Sequence, residues 1–166
     1  MTFKTAIEDD KQDIWQILQD AVAQRKADGS NQWQDGYPNI ETVNTDIENS
    51  YGYVLIENEI IIGYAAIIFD AEPAYENIEG KWLTNGAYIV VHRLAVAKAA
   101  KRKGVATFIM QKIEALALSK GIGSIKVDTN FDNTPMLKIL YNLGYTYCGE
   151  VYFRGAARRA YEKILN

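Results

Sequence analysis

Residues 88–107 constrain the fold of this chain more than any other stretch. Tyr88 to Val96 reads as an apolar strand, Ala97-Lys98-Ala99-Ala100-Lys101-Arg102-Lys103 as a basic loop, and Gly104-Val105-Ala106-Thr107 as a glycine-bearing helix start. That order builds a phosphate cradle. The first amides of a helix have no partner within it and sit at the positive end of its dipole, so a phosphate placed there satisfies them. Lys98, Lys101, Arg102 and Lys103 add local positive charge to a chain whose net charge is -3. Two familiar phosphate loops are excluded. A Walker loop needs G-x-x-x-x-G-K-S/T and a dinucleotide fingerprint needs G-x-G-x-x-G, whereas Gly104 stands alone in its segment.

The elements around the cradle follow from periodicity. Val105, Phe108, Ile109, Ile113, Leu116 and Ala117 recur at helical spacing up to Gly121, which is placed as a C-cap. Ile125 to Thr129 alternates as a strand, and Asp132 or Asn133 then offers an N-cap, with Pro135 in the first turn of a helix that ends at Leu143-Gly144. Before the cradle, Phe3 to Ala6 is a short strand. A helix from Asp9 or Asp10 carries Ile14, Ile17, Leu18, Ala21 and Val22 on one face. The loop 27–38 holds Trp33 and Tyr37 among turn residues, and a second helix covers Ile40 to Asn49. Tyr53 to Ile56 and Ile60 to Ile68 flank Glu57-Asn58-Glu59 as a hairpin. Residues 70–86 form a long connection, and Tyr147 to Phe153 with Arg159 to Leu165 form a closing hairpin.

The segment K-R-K-G-V-A resembles the Q/R-x-x-G-x-G/A signature of the GNAT superfamily of acyl-CoA-dependent N-acyltransferases. Lys101 stands at the Q/R position, Gly104 matches and Ala106 is the permitted small residue. One helix and one strand later, Asn133 to Tyr145 resembles the second signature, N-x-x-A…L-Y-x-x-x-G-F. The resemblance covers residues 88–147. It implies an α/β fold of the α+β kind: a mixed, mostly antiparallel central sheet of about seven strands, splayed in its middle, with helices on both faces.

It also implies roles. The pyrophosphate of acetyl-CoA is expected on the amides of Arg102, Lys103, Gly104, Val105, Ala106 and Thr107, with Lys101 beside them. The backbone of Leu94, Ala95 and Val96 is expected to pair with the pantetheine amides, and Asn133, which opens the second signature, is counted with the cofactor-binding residues. His92 falls where many members carry a glutamate that takes the amine proton. A base is needed there: an alkylamine of pKa about 10.4 is neutral so rarely at pH 7 that the deficit is about 4.6 kcal/mol. General-base assistance supplies roughly 10²- to 10⁴-fold. Strand alternation would aim His92, Leu94 and Val96 to one face and Arg93 to the other.

The tyrosine the family uses to protonate the departing thiolate stands four residues before the glycine, a count that lands on Leu140. Tyr141 is one place late. One residue turns a side chain by about 100° around a helix, so Leu140 is expected in the core and Tyr141 stays the alternative acid, with Tyr145 and Tyr152 as other donors. Trp33, Tyr37 and Pro38 lie where the family forms its acceptor pocket, although a loop pinned by its aromatics explains them equally well. Tyr75 and Trp82 share that ambiguity. Glu57, Glu59 and Asp128 are weaker base candidates, since such carboxylates are usually solvated. Arg154, Arg158 and Arg159 either hold an acidic acceptor group or keep an edge strand soluble.

At 166 residues the chain suits one domain over 1–166. Cys148 is its only cysteine and His92 its only histidine, which argues against a disulfide, a zinc site or any other metal. The N-terminus lacks a signal-peptide layout and no apolar run would span a bilayer, so a cytoplasmic protein without a membrane partner is expected. The acidic pI of 5.2 disfavours nucleic acid. The expected activity is transfer of an acetyl group from acetyl-CoA to a primary amine of a small molecule, amino acid or peptide. Protein N-terminal or lysine acetylation and a catalytically degenerate acyl-CoA-binding regulatory domain are the alternatives, and a homodimer is left open.

Overall fold

A computed structural model describes residues 1–166. In chain order the elements are β1 (Thr2–Thr5), α1 (Lys11–Ala27), α2 (Ile40–Glu48), β2 (Gly52–Glu57), β3 (Ile60–Ile68), α3 (Pro73–Glu76), β4 (Glu79–Gly80), β5 (Ile89–Val96), α4 (Val105–Ser119), β6 (Ser124–Thr129), α5 (Thr134–Asn142), β7 (Thr146–Phe153) and β8 (Ala156–Ile164). No helix is long and apolar enough to cross a membrane.

One compact unit comprises Met1–Ile67 and Arg93–Met110. Its β1 pairs with β2 and β2 with β3, both antiparallel. The β2–β3 hairpin turns on Asn58 and Glu59, both at positive φ (51° and 66°), the backbone a two-residue turn needs to match strand twist. The apolar stripe of α1 read from the sequence is what the unit buries: Ile14, Ile17 and Leu18 pack with Val43, Val54, Tyr64 and Ala95. α2 begins at Asn39, whose side chain accepts from the Thr42 amide at 3.1 Å while the Thr42 hydroxyl accepts from the Asn39 amide at 3.1 Å.

The other unit comprises Ile68–His92 and Gln111–Asn166, so β5 gives its first half to this unit and its second half to the former. Here β5 runs parallel to β6, while β6–β8, β7–β8 and β4–β7 are antiparallel. The β6 strand, paired on both sides, is buried at five of six positions although only Ile125 and Val127 are apolar. Tyr75, Val90, Val151 and Ala160 form the core of this unit.

The structure corrects the sequence reading between residues 70 and 86. That connection contains α3 and β4, giving eight strands rather than about seven. A two-residue strand shows no alternation. It pairs because glycines face each other: Gly80 stands opposite Gly149, and a Cβ on either would strike the partner strand's backbone. The buried Glu162 carboxylate holds the rest of the connection, accepting from the Leu83 amide at 3.0 Å, the Thr84 hydroxyl at 2.5 Å and the Ser124 hydroxyl at 2.9 Å. Lys126, lowered in pKa by burial, sets its ammonium 4.5 Å from the Trp82 ring centre and 3.9 Å from that of Tyr88.

Candidate active site

The first unit carries the cradle. The Phe108 amide donates to the Gly104 carbonyl at 3.0 Å, so Val105, Ala106 and Thr107 lie in the first turn, where amides have no carbonyl behind them in the helix. Arg102 and Gly104 both take left-handed backbone (φ 64° and 74°), and a Cβ built on Gly104 meets no protein atom within 4 Å. The space faced by Gly104 is therefore open, as an approaching pyrophosphate requires. Arg102 and Lys103 are exposed and Lys101 half-buried. Ahead of them Lys98–Ala100 forms a 3-10 turn that the sequence did not suggest. Leu94 and Val96 are half-buried, and Ala95 is in the core.

Arg93 breaks the expected alternation of β5. Its φ of 55° is left-handed, so period-two facing does not run through His92, Leu94 and Val96. Its guanidinium makes a bidentate pair with Asp46 (Nε to Oδ2 2.9 Å, Nη2 to Oδ1 2.6 Å) and donates through Nη1 to the Tyr37 hydroxyl. The Tyr64 hydroxyl donates to the same carboxylate at 2.5 Å. Burial works against the charge on Arg93, and the Tyr37 oxygen and Asp46 carboxylate more than offset it. Tyr37 is thus tied into a buried network, while Trp33 is half-buried at φ 61°.

The second unit carries His92. Its Nε2 lies 3.3 Å from Glu72 Oε2, and its Nδ1 lies 3.9 Å from Asp128 Oδ2. Phe153 meets the imidazole edge-on at 5.8 Å. Asp128 is not a solvated carboxylate: it is nearly buried and accepts from the Tyr75 hydroxyl at 2.6 Å. Burial first, then the Asp128 charge, push the Tyr75 phenol well above its ordinary range, so it keeps its proton and stays the donor. Glu72 escaped the sequence reading altogether. Its other oxygen, Oε1, caps α3 by accepting from the Ala74 amide at 3.3 Å, and its own amide donates to the Tyr88 hydroxyl at 3.1 Å. Glu57 and Glu59 are exposed at the hairpin turn.

On α5, the Asn133 side chain caps the helix, accepting from the Met136 amide at 3.4 Å. The helix closes with Gly144 donating to Tyr141 and Tyr145 to Leu140, which fixes the register. Leu140 is fully buried, and Tyr141 is 82% exposed. The Tyr145 hydroxyl is buried without a hydrogen-bond partner, and burial and Glu114 raise its pKa. Tyr152 donates to Glu79 at 2.8 Å, which pushes its phenol up to about 12. Arg158 is buried, Arg154 and Arg159 are exposed, and the Arg159 guanidinium lies 6.0 Å from the Tyr147 ring centre. No group of three or more His, Cys, Asp or Glu side chains is placed to hold a metal ion.

A strand, a basic loop with an open glycine and the first turn of a helix make a cradle suited to a phosphate group. The Acetyltransferase (GNAT) family model matches residues 12–145, and the chain belongs to that family. An acetyltransferase of the GNAT family from Streptococcus agalactiae 2603 is 36% identical, with a TM-score of 0.91 over 99% of this chain and 95% of that one. A GNAT-family acetyltransferase from Listeria monocytogenes 4b F2365 (18% identity, TM-score 0.79, 99% and 94% covered) shares the fold. So does the yncA protein of Salmonella typhimurium, solved with acetyl-CoA (16% identity, TM-score 0.72, 100% and 94% covered). A search of curated proteins finds no match.

Proposed function

We propose that the protein is an N-acetyltransferase, acting as one domain over 1–166, that moves the acetyl group of acetyl-CoA to a primary amine of a small molecule, amino acid or peptide. Family membership supports the donor, as does the acetyl-CoA held by the Salmonella neighbour. The residues assigned to the pyrophosphate are Lys101 to Thr107, where first-turn amides and the open face of Gly104 suit a dianionic group. Leu94, Ala95, Val96 and Asn133 are assigned to the rest of the donor, Trp33 and Tyr37 to the acceptor.

The observation that carries turnover, as against donor binding alone, is the setting of His92: an imidazole near two carboxylates and largely shielded from water. Such a ring can accept the proton of an attacking amine and hold it as an imidazolium. The bound thioester supplies the acyl carbon and a leaving thiolate. His92→Ala should retain acetyl-CoA affinity by calorimetry while release of free CoA with an amine panel drops at least 10²-fold. A fully active variant would remove His92 from the mechanism, and no CoA release by the wild type with any amine would leave only donor binding.

A further inference from the structure

We propose that Glu72 is a positioning residue that sets the tautomer of His92, making Nδ1 the nitrogen that receives the amine proton. The inference rests on the reading of His92 as the base. A neutral imidazole carries one N–H, and the position of that hydrogen decides which nitrogen can act. Glu72 Oε2 is within hydrogen-bond distance of Nε2 at 3.3 Å, whereas Asp128 Oδ2 is 3.9 Å from Nδ1, too far for a direct bond. The hydrogen therefore sits on Nε2, pointing at Glu72, and the lone pair sits on Nδ1.

Nδ1 and Asp128 Oδ2 then stand 3.9 Å apart as two acceptors. A donor with two N–H bonds, set about 2.9 Å from each, bridges the pair. A neutral primary amine is such a donor. As its nitrogen bonds to the thioester carbon and the carbon–sulfur bond breaks, sulfur leaves with the electron pair as thiolate. The amine proton passes to Nδ1, leaving an imidazolium that Glu72 and Asp128 face with opposite charge.

Glu72 itself is held from three directions. Oε1 accepts from the Ala74 amide, Oε2 from His92, and the backbone amide donates to Tyr88. This makes Glu72→Gln a sharp test. The amide oxygen must keep the Oε1 place to go on accepting from Ala74, which leaves the NH2 group in the Oε2 place. That group is a donor, and it demands the lone pair of Nε2. The ring must then carry its hydrogen on Nδ1, toward Asp128, where it cannot accept an amine proton.

The chain has one histidine, so a ¹⁵N-histidine spectrum of the whole protein contains one imidazole and needs no acceptor. The wild type should show the Nε2–H pattern and Glu72→Gln the Nδ1–H pattern. With the amine that supports turnover, kcat of Glu72→Gln should fall at least tenfold, with KM for acetyl-CoA within twofold. Glu72→Ala, which leaves Asp128 as the one carboxylate near the ring, should also move the spectrum toward Nδ1–H. A wild-type Nδ1–H pattern, or a Glu72→Gln protein with unchanged spectrum and kcat beside an inactive His92→Ala, overturns the role of Glu72 and leaves His92 as base. A fully active His92→Ala enzyme overturns both.

Discussion

Asp46 accepts from Arg93 and Tyr64 while almost wholly buried, so no solvent replaces it once removed. Asp46→Ala strands a buried guanidinium, and loss of one partner of a buried pair costs about 3–5 kcal/mol. The urea midpoint should fall accordingly, and a change under 1 kcal/mol would mean that water reaches Arg93. At Gly104 the backbone is left-handed and the side facing Cβ is empty of protein. Gly104→Val should therefore abolish acetyl-CoA binding by calorimetry through occupation of that space, whereas Lys101→Ala or Lys103→Ala alone should weaken it less. Unchanged affinity in the valine variant would place the donor elsewhere. Tyr141 is exposed on α5, and a thiol of pKa about 8.5 leaves as thiolate at pH 7 for only about 2 kcal/mol, so Tyr141→Phe should lower kcat less than tenfold. A hundredfold loss with intact donor binding would assign it the proton.

Between elements, β4 pairs with β7 where Gly80 and Gly149 each leave room for the other's backbone. Gly149→Ala would drive a methyl into the Glu79 carbonyl, at a cost of about 1–3 kcal/mol. The Lys81 amide, which donates to the Cys148 carbonyl at 2.9 Å, should then exchange faster. Unaltered protection would mean that the glycine pair is dispensable. This is also where the sequence was least legible. The long periodic helices and the hairpins announce themselves locally, because their residues repeat at the spacing of the element they form, and the two signature segments do so through their resemblance to the GNAT patterns. α3, β4 and Glu72 do not. Glu72 reaches His92 across 20 positions and Tyr75 reaches Asp128 across 53, so their pairing follows from tertiary placement rather than from any local pattern. The left-handed turn at Arg93 was hidden for a similar reason: a long side chain drawn to a buried carboxylate overrides strand alternation.

For the whole molecule, burial of tyrosine sets an alkaline limit. Of 11 tyrosines, Tyr64, Tyr75 and Tyr145 have phenols raised far above the usual value by burial first, helped by Asp46, Asp128 and Glu114 respectively. They stay protonated in the folded state and ionise near pH 10 in the unfolded chain. Above pH 10 the unfolded state thus binds fewer protons, and stability present below pH 10 is lost as pH rises, each phenol contributing up to about 1.4 kcal/mol per pH unit. Urea midpoints at pH 9, 10 and 11 should fall progressively, with a group of phenolates appearing at 295 nm only on unfolding. A flat stability curve across that range would contradict their burial.

The indole of Trp82 donates to the Tyr75 carbonyl at 2.8 Å, lies 5.1 Å from the Tyr75 ring and receives the Lys126 ammonium on its face. Tyr75 in turn holds Asp128, and the same segment of chain bears Glu72. A fluorophore thus stands in the segment whose Glu72 lies 3.3 Å from the histidine. Any variant, ligand or solvent condition that unseats this segment alters the polarity and quenching around one indole. Trp82 is one of three indoles, so the difference in intrinsic emission between the protein and its Trp82→Phe variant follows the state of this segment, unlabelled and in real time, while the acceptor amine is still being sought.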